Sequence, residues 1–351
     1  LAQVFGIAPV YGLADQGVIL PLDQPLASDP DWKEQDIFPP FLAAYQYNGK
    51  LWALPSSAQP DSLIWNKSVF ANSGLDPESG PKDQSAFEAA IEKINRFDAN
   101  GRLQIAGYIP GMWGGFTHWA YDWGGSVYDP ATKKITATNP VNVEALQWVV
   151  DLEKEYGGNG AYNAWKSGVR GDPLWLGKAG MQWYEHYQYY SMHLAAPQDF
   201  SWGFAPVPVM GPADAQPKGN VVHTDANVMV ATTKHPHEAA IVLNWFTTGP
   251  GSLAKIQISA HPSANVAIDR YALEHNLVPD WYPRELWLQN YDVLMRARQW
   301  AKIPVLGDLT PALDKAQSDA IAGKVPVQTA LQQVDDAIQP KLDEALARLS
   351  K

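Results

Sequence analysis

Hydrophobic and polar positions alternate in short runs over the first part of the chain. The runs AQVFGI, GVILPL and LWALP are separated by acidic, proline-rich stretches. Short apolar runs bounded by such breakers read as strands. The first of them, within LAQVFGIAPVYG, reads as a buried strand. Other segments switch to helical spacing. In QSAFEAAIEKINRFDANG, Phe87, Ile91 and Ile94 share a face, Ser85 and Glu88 have capping-box spacing, and Asn100-Gly101 ends the segment. NPVNVEALQWVVDLEKEYGG has Asn139 as cap, Pro140 in its first turn and Gly157-Gly158 beyond. KHPHEAAIVLNWFTTG follows the strand-like NVMVATT, and the stretch from Thr310 to Lys351 reads as two helical segments split near GKVPV. Strands interleaved with helices predict α/β architecture with more than one sheet.

One gap in this pattern stands out. In YNGKLWALPSSAQPDSLIWNKSVF, residues Ser56 to Ser62 separate two strand-like runs with no Asn-Gly pair to close a hairpin. Such a gap suits a chain that leaves one sheet and enters another.

Composition narrows the possibilities. A chain of 351 residues favours two domains over one core. Hydrophobic residues at 46% and charged residues at 18% give a globular chain. A net charge of -11 argues against nucleic acid as a partner, since phosphate neutralisation needs clustered Lys and Arg. No stretch approaches the roughly 18 apolar residues of a membrane helix. With no cysteine, disulfides, thiolate chemistry and cysteine-held metals are excluded. Fifteen Trp and fifteen Tyr are more than core packing requires, and many sit in polar, glycine-rich text such as PGMWGGFTHWAYDWGG. A flat apolar face with a polar handle suits a partly wet contact site.

Catalytic signatures are sparse. There is no G-x-S-x-G elbow, P-loop or G-x-G-x-x-G fingerprint. His235, His237 and Glu238 open a helix without the second histidine of a zinc helix, which points to a solvated, capping role. Asp122 beside Trp123 and Glu185 beside Tyr184 have the residue types of a glycosidase pair. The same types also fit a pocket that only binds hydroxyls. Asn66, in the sequon-like NKS, reads as a turn residue at a strand end. Neither an enzymatic activity nor a cofactor is expected.

The segment YNGKLWALPSSAQPDSLIWNKSVF resembles one in the sugar-binding extracellular solute-binding proteins of ABC transporters, the class that includes maltose-binding protein. LAQVFGIAPVYGLADQGVILPLD, LGKAGMQWYE, FAPVPVMGP, PKGNVVHTDANVMVATTKHPHEAAIVLNWFTT and the C-terminal helices are similar to that family's motifs in the same order. The resemblance covers essentially the whole chain. It implies two doubly wound α/β domains of the periplasmic binding protein type II class with a hinged interdomain cleft, the gap after LWALP being the first crossover. One lobe would comprise 1–58 and 227–305 and the other 62–222 and 311–351, with hinges near 56–62, 222–227 and 306–311. The family's first βαβ portion has no counterpart in the sequence. At Ile7-Ala8-Pro9-Val10 the charged groups of the maltose-binding branch are also absent, so the ligand contacts differ from that branch.

The resemblance also implies a set of ligand-binding residues. Gln59 matches a hydroxyl-binding position and Asp61 lies in the same gap. Trp113, Phe116 and Trp119 fall among the second domain's aromatics, and Trp183, Glu185 and Tyr187 follow the Gly-Lys-x-Gly-Met strand. Gly219 and Asn220 match a backbone-approach loop. His223 and Asp225 fall on the second crossover, Phe5 aligns with an aromatic position, and Trp281 completes the set. The implied function is capture of a mono- or oligosaccharide and its delivery to an ABC permease, by a monomer in the periplasm or lipid-anchored outside the cell. The alternatives are a cationic or phosphorylated solute in the same fold, or a glycoside hydrolase.

Overall fold

The computed structural model describes residues 1–110, 115–208, 224–298 and 302–349. Its strands are β1 (Ala2–Val4), β2 (Ile19–Leu20), β3 (Gln46–Tyr47), β4 (Lys50–Leu51), β5 (Ala53–Pro55), β6 (Asp61–Asn66), β7 (Arg96–Phe97), β8 (Leu103–Ile109), β9 (Tyr128–Asp129), β10 (Lys134–Ile135), β11 (Ala179–Glu185), β12 (Trp202–Ala205) and β13 (Ala226–Val230). The helices are α1 (Ala8–Asp15), α2 (Asp23–Ala27), α3 (Pro39–Ala44), α4 (Lys67–Asn72), α5 (Gln84–Ile94), α6 (Gly115–Asp122), α7 (Pro140–Glu155), α8 (Asn159–Gly168), α9 (His186–Ala195), α10 (Pro236–Thr247), α11 (Pro250–Ser259), α12 (Val266–Glu274), α13 (Arg284–Met295), α14 (Leu306–Ile321) and α15 (Val327–Leu349).

The chain divides into two compact units, Leu1–Pro60 with Gly219–Thr310 and Lys341–Lys351, and Asp61–Lys218 with Pro311–Pro340. Each is α/β. In the first, β13 is the central strand, antiparallel to β1, to β5 and, further along, to β2. Its run Ala226, Val228 and Met229 is buried, as expected of a strand covered on both faces. α10 buries Ala240, Leu243, Asn244 and Thr247. The Asn244 amide is satisfied at both ends, donating to Asp29 at 2.9 Å and accepting from the Thr248 hydroxyl at 2.6 Å.

The second unit is built on a five-stranded sheet of order β12-β6-β11-β8-β7. β11 runs parallel to β8 and antiparallel to β6. Glycine lets α5 approach this sheet closely. A Cβ on Gly180 would lie 2.6 Å from Ile94 Cδ1, and one on Gly107 would meet the Ile91 backbone.

Two local expectations change. The opening run is not a buried strand. β1 is only Ala2–Val4 and largely exposed, because the chain turns at Gly6 (φ +74°) into α1, whose first turn holds Pro9. The cap of α5 is Asp83, not Ser85. Its carboxylate accepts from the Ala86 amide at 2.9 Å, and Ser85 is already inside the helix. Asn66 ends β6 and caps α4 through the Val69 amide, 3.1 Å away. At the C-terminus, where the sequence reading gives 311–351 to the second lobe, Lys341–Lys351 groups with the first unit. Lys341 there pairs with Asp308 at the start of α14.

Candidate functional site

The strand directions of the second sheet bring the carboxyl ends of β8, β11 and β12 to the same end as the start of β6. In open α/β sheets that is the end at which ligands are held. Glu185, the last residue of β11, stands opposite Asp61, the first of β6. Period-two alternation sets Trp183 and Met181 on the same face as this carboxylate pair. Both acids are sequestered, with Asp61 1% and Glu185 4% exposed.

Local chemistry fixes each group. Glu185 caps α9. Its side chain accepts from the Gln188 backbone amide, and its own amide donates to Gln188 Oε1 at 2.8 Å. Tyr187 follows in the first turn of α9, half-buried. Trp183 is half-exposed. Its ring is met edge-on by Trp119 at 4.8 Å and His118 at 5.5 Å. Trp119 is buried against Phe87, Tyr108 and Trp148, so it supports Trp183 from the core. Phe116 is buried too, and its amide donates to Gln317 Oε1 at 2.6 Å. Burial lifts the Tyr189 hydroxyl above its ordinary range. Its bond to Ser62 opposes the shift and the charge of Asp61 adds to it.

The structure thus gathers Asp61, Phe116, Trp119, Trp183, Glu185 and Tyr187 around one end of one sheet. His118 belongs to the same surroundings, and the sequence reading missed it. His118 could have been noted as the one imidazole in the aromatic stretch that includes Phe116 and Trp119.

In the first unit, Asp225 knits strand ends together. Its carboxylate accepts from the Gly6 backbone amide at 3.1 Å and from the Gln3 side-chain Nε2 at 3.5 Å, and its carbonyl accepts from the Ser56 backbone amide at 2.7 Å. Phe5 follows β1 and is 77% exposed. Gln59 is buried near the end of the 56–60 segment. Trp281 lies in the α12–α13 connection and packs edge-on against Tyr282, 5.6 Å away. Trp113, Gly219, Asn220 and His223 lie outside the described residues. Among the described residues no group of three or more His, Asp or Glu side chains could hold a metal ion. Nor is any helix among them long and apolar enough to cross a membrane.

The family described as bacterial extracellular solute-binding protein matches residues 2–266. The chain belongs to that family. Solved structures share the fold of this solute-binding protein. The mannobiose-bound CpMnBP1 superposes with a TM-score of 0.81 at 24% identity, over 95% of this chain and 82% of that one. An ABC transporter solute-binding protein from Thermotoga lettingae, bound to α-D-tagatose, gives 0.78 at 19% identity over 97% and 84%. The GacH receptor of Streptomyces glaucescens gives 0.76 at 18% identity over 97% and 83%. No curated protein matches the chain significantly. The family is one of binding proteins and not of enzymes, so the glycosidase reading of Asp122 and Glu185 falls away.

Proposed function

We propose that this protein captures a carbohydrate and delivers it to the permease subunits of an ABC transporter. The observation that carries the reading is Trp183. Its half-exposed indole is held edge-on by Trp119 and His118, on the same sheet face as the Asp61–Glu185 pair. A sugar presents an apolar C–H face beside hydroxyl donors, and an indole face beside carboxylate acceptors is its complement. CpMnBP1 has been solved with mannobiose and with mannotriose, and the GacH receptor with acarbose, which supports an oligosaccharide. In this reading Gln59, Tyr187, Phe5 and Asp225 complete the contacts, with Trp113, Gly219, Asn220, His223 and, more peripherally, Trp281. The segments near 56–62, 222–227 and 306–311 act as the hinge. The protein works as a monomer, in the periplasm or lipid-anchored at the cell surface.

Intrinsic tryptophan fluorescence during titration with mannobiose, maltose and tagatose tests this, with spermidine and a sugar phosphate as controls. A saturable change with one sugar, and no product afterwards, supports the reading. The opposed Asp61 and Glu185 also favour a cationic solute. A response to spermidine alone, with silence for every sugar, would establish that second reading instead.

A further inference from the structure

Helices α5 and α7 face each other in the second unit. Trp148, in the middle of α7, stacks on Phe87 at 6.2 Å and donates its indole N–H to Glu88 at 2.9 Å. One turn after Glu88 on α5 comes Glu92, and α7 ends on Glu155. Between the two helices and the edge strand β7 runs an open groove of about 830 Å³. Its apolar lining is Ile91, Trp148, Leu152 and, on β7, Phe97, which is 43% exposed.

The charge along this apolar groove has one sign. Glu88, Glu92 and Glu155 line it, and among the described residues no Lys or Arg does. No ion pair among the described residues involves any of the three. Glu88 and Glu92 form a like-charge i,i+4 pair, which weakens a helix. Glu92 in the last turn of α5 and Glu155 at the end of α7 stand where the helix dipole disfavours anions and favours cations. Burial raises the Glu155 carboxyl above its ordinary range, and the charges of Glu92, Glu88 and Asp151 push it the same way. Features that cost a free fold stability are retained where a contact uses them.

A metal ion is not the complement, since among the described residues no group of three or more acids could hold one. A second copy in a symmetric contact is not the complement either, because it would set these carboxylates against themselves. We propose that the α5–α7 groove is a docking surface for a Lys- or Arg-bearing amphipathic segment of a partner protein. The segment's apolar side lies along Trp148, Leu152 and Phe97, and its cations reach Glu92 and Glu155 at the helix ends. This does not depend on which solute the protein carries.

The test uses the full chain and three synthetic peptides of equal length. One carries leucine and lysine on opposite helix faces, and the others have glutamine or glutamate in place of lysine. Titration calorimetry reads binding at low and high salt. The lysine peptide binds the parent, more weakly as salt rises, and the other two do not. Glu92→Gln with Glu155→Gln weakens that binding about 3- to 10-fold. Glu34→Gln with Glu274→Gln removes two exposed acids of the first unit instead, and binds like the parent. Without peptide, E92Q/E155Q melts about 1–4 °C above the parent. The proposal is overturned if E34Q/E274Q loses as much affinity as E92Q/E155Q, since overall negative charge then does the attracting. It is overturned too if free E92Q/E155Q melts below the parent, because the two carboxylates then stabilise the fold itself. Displacement of the peptide by an equal concentration of spermidine would show that a small cation suffices, and would sink the polypeptide assignment. Self-association of the parent that E92Q/E155Q lacks would put a second copy in the groove and overturn it equally.

Discussion

The hydroxyl of Tyr156 closes on both backbone groups of Tyr108, donating to its carbonyl at 2.8 Å and accepting from its amide at 3.1 Å. Tyr156 is the residue after α7 and Tyr108 is the next-to-last residue of β8, so one buried phenol ties a helix end to the strand leading to the site. Burial is the main reason its hydroxyl is held above the ordinary tyrosine range. Tyr156→Phe leaves a buried amide and a buried carbonyl unmet. A loss of about 1–3 kcal/mol follows, read as a lower midpoint in thermal or urea denaturation. An unchanged midpoint would mean that water replaces the phenol.

Glu185 has two duties that substitution can separate. As the cap of α9 it needs only an acceptor, while opposite Asp61 it contributes charge. Glu185→Gln keeps the acceptor, so its melting temperature stays within about 2 °C of the parent while sugar affinity falls about 10-fold or more. Glu185→Ala loses the cap as well and melts lower. Equal affinities for E185Q and the parent would remove Glu185 from the ligand contacts.

Asp269 is fully buried, and its Oδ1 accepts from the Ser263 amide at 2.7 Å. Burial pushes its carboxyl well above the usual range, against that hydrogen bond. The folded state therefore keeps a proton that the unfolded chain has already lost. Stability contributed by this group is present at low pH and declines as pH rises above 3.8, at up to about 1.4 kcal/mol per unit until the folded pKa is passed. Asp269→Asn retains an acceptor for Ser263 and carries no charge. It is expected to be more stable than the parent at about pH 7, with the difference closing toward about pH 4. Urea midpoints across that range check it, and a constant difference would contradict the titration.

How much of this was legible in the sequence depended on whether the signal was local. Asn139 with Pro140, and Pro236, mark the starts of α7 and α10 because helix-start chemistry acts within one turn. Asp83 and Ser85 are both cap-forming types two residues apart, and only the path of the chain decides which one reaches the first free amides. Trp183 and Glu185 could be nominated from the strand they end. The roles of Trp119 and Phe116 could not, since aromatic residues in glycine-rich text look the same whether they face water or pack on Phe87. The sequestering of Gln182 in the sheet was invisible for a further reason. Its burial follows from its pairing with Ile64 and Ile109, which lie more than a hundred and more than seventy residues away in sequence.

Lys255 supplies the last prediction. Its ammonium lies 4.1 Å from the Phe246 ring centroid and donates to the Ser56 carbonyl at 2.8 Å. Ser56 belongs to the segment leading to Asp61, which is held further by Ala58 on Pro262 and by the Thr224 hydroxyl on Ser57. Burial lowers the pKa of Lys255 below 10.5. Between its folded value and 10.5 the unfolded chain binds a proton that the folded state has released, so this group makes stability rise with pH there. His261, close to Lys255, is itself lowered from 6.5, mainly by burial and also by the Lys255 charge. Lys255→Met keeps contact with Phe246 but has no proton to lose and no donor for Ser56. It should be less stable than the parent near neutral pH by about 1 kcal/mol, and its alkaline profile should lack the lysine's upward contribution. Urea midpoints for both proteins from about pH 7 to pH 10 give the comparison. Parallel profiles would show that Lys255 keeps its ordinary proton affinity in the fold.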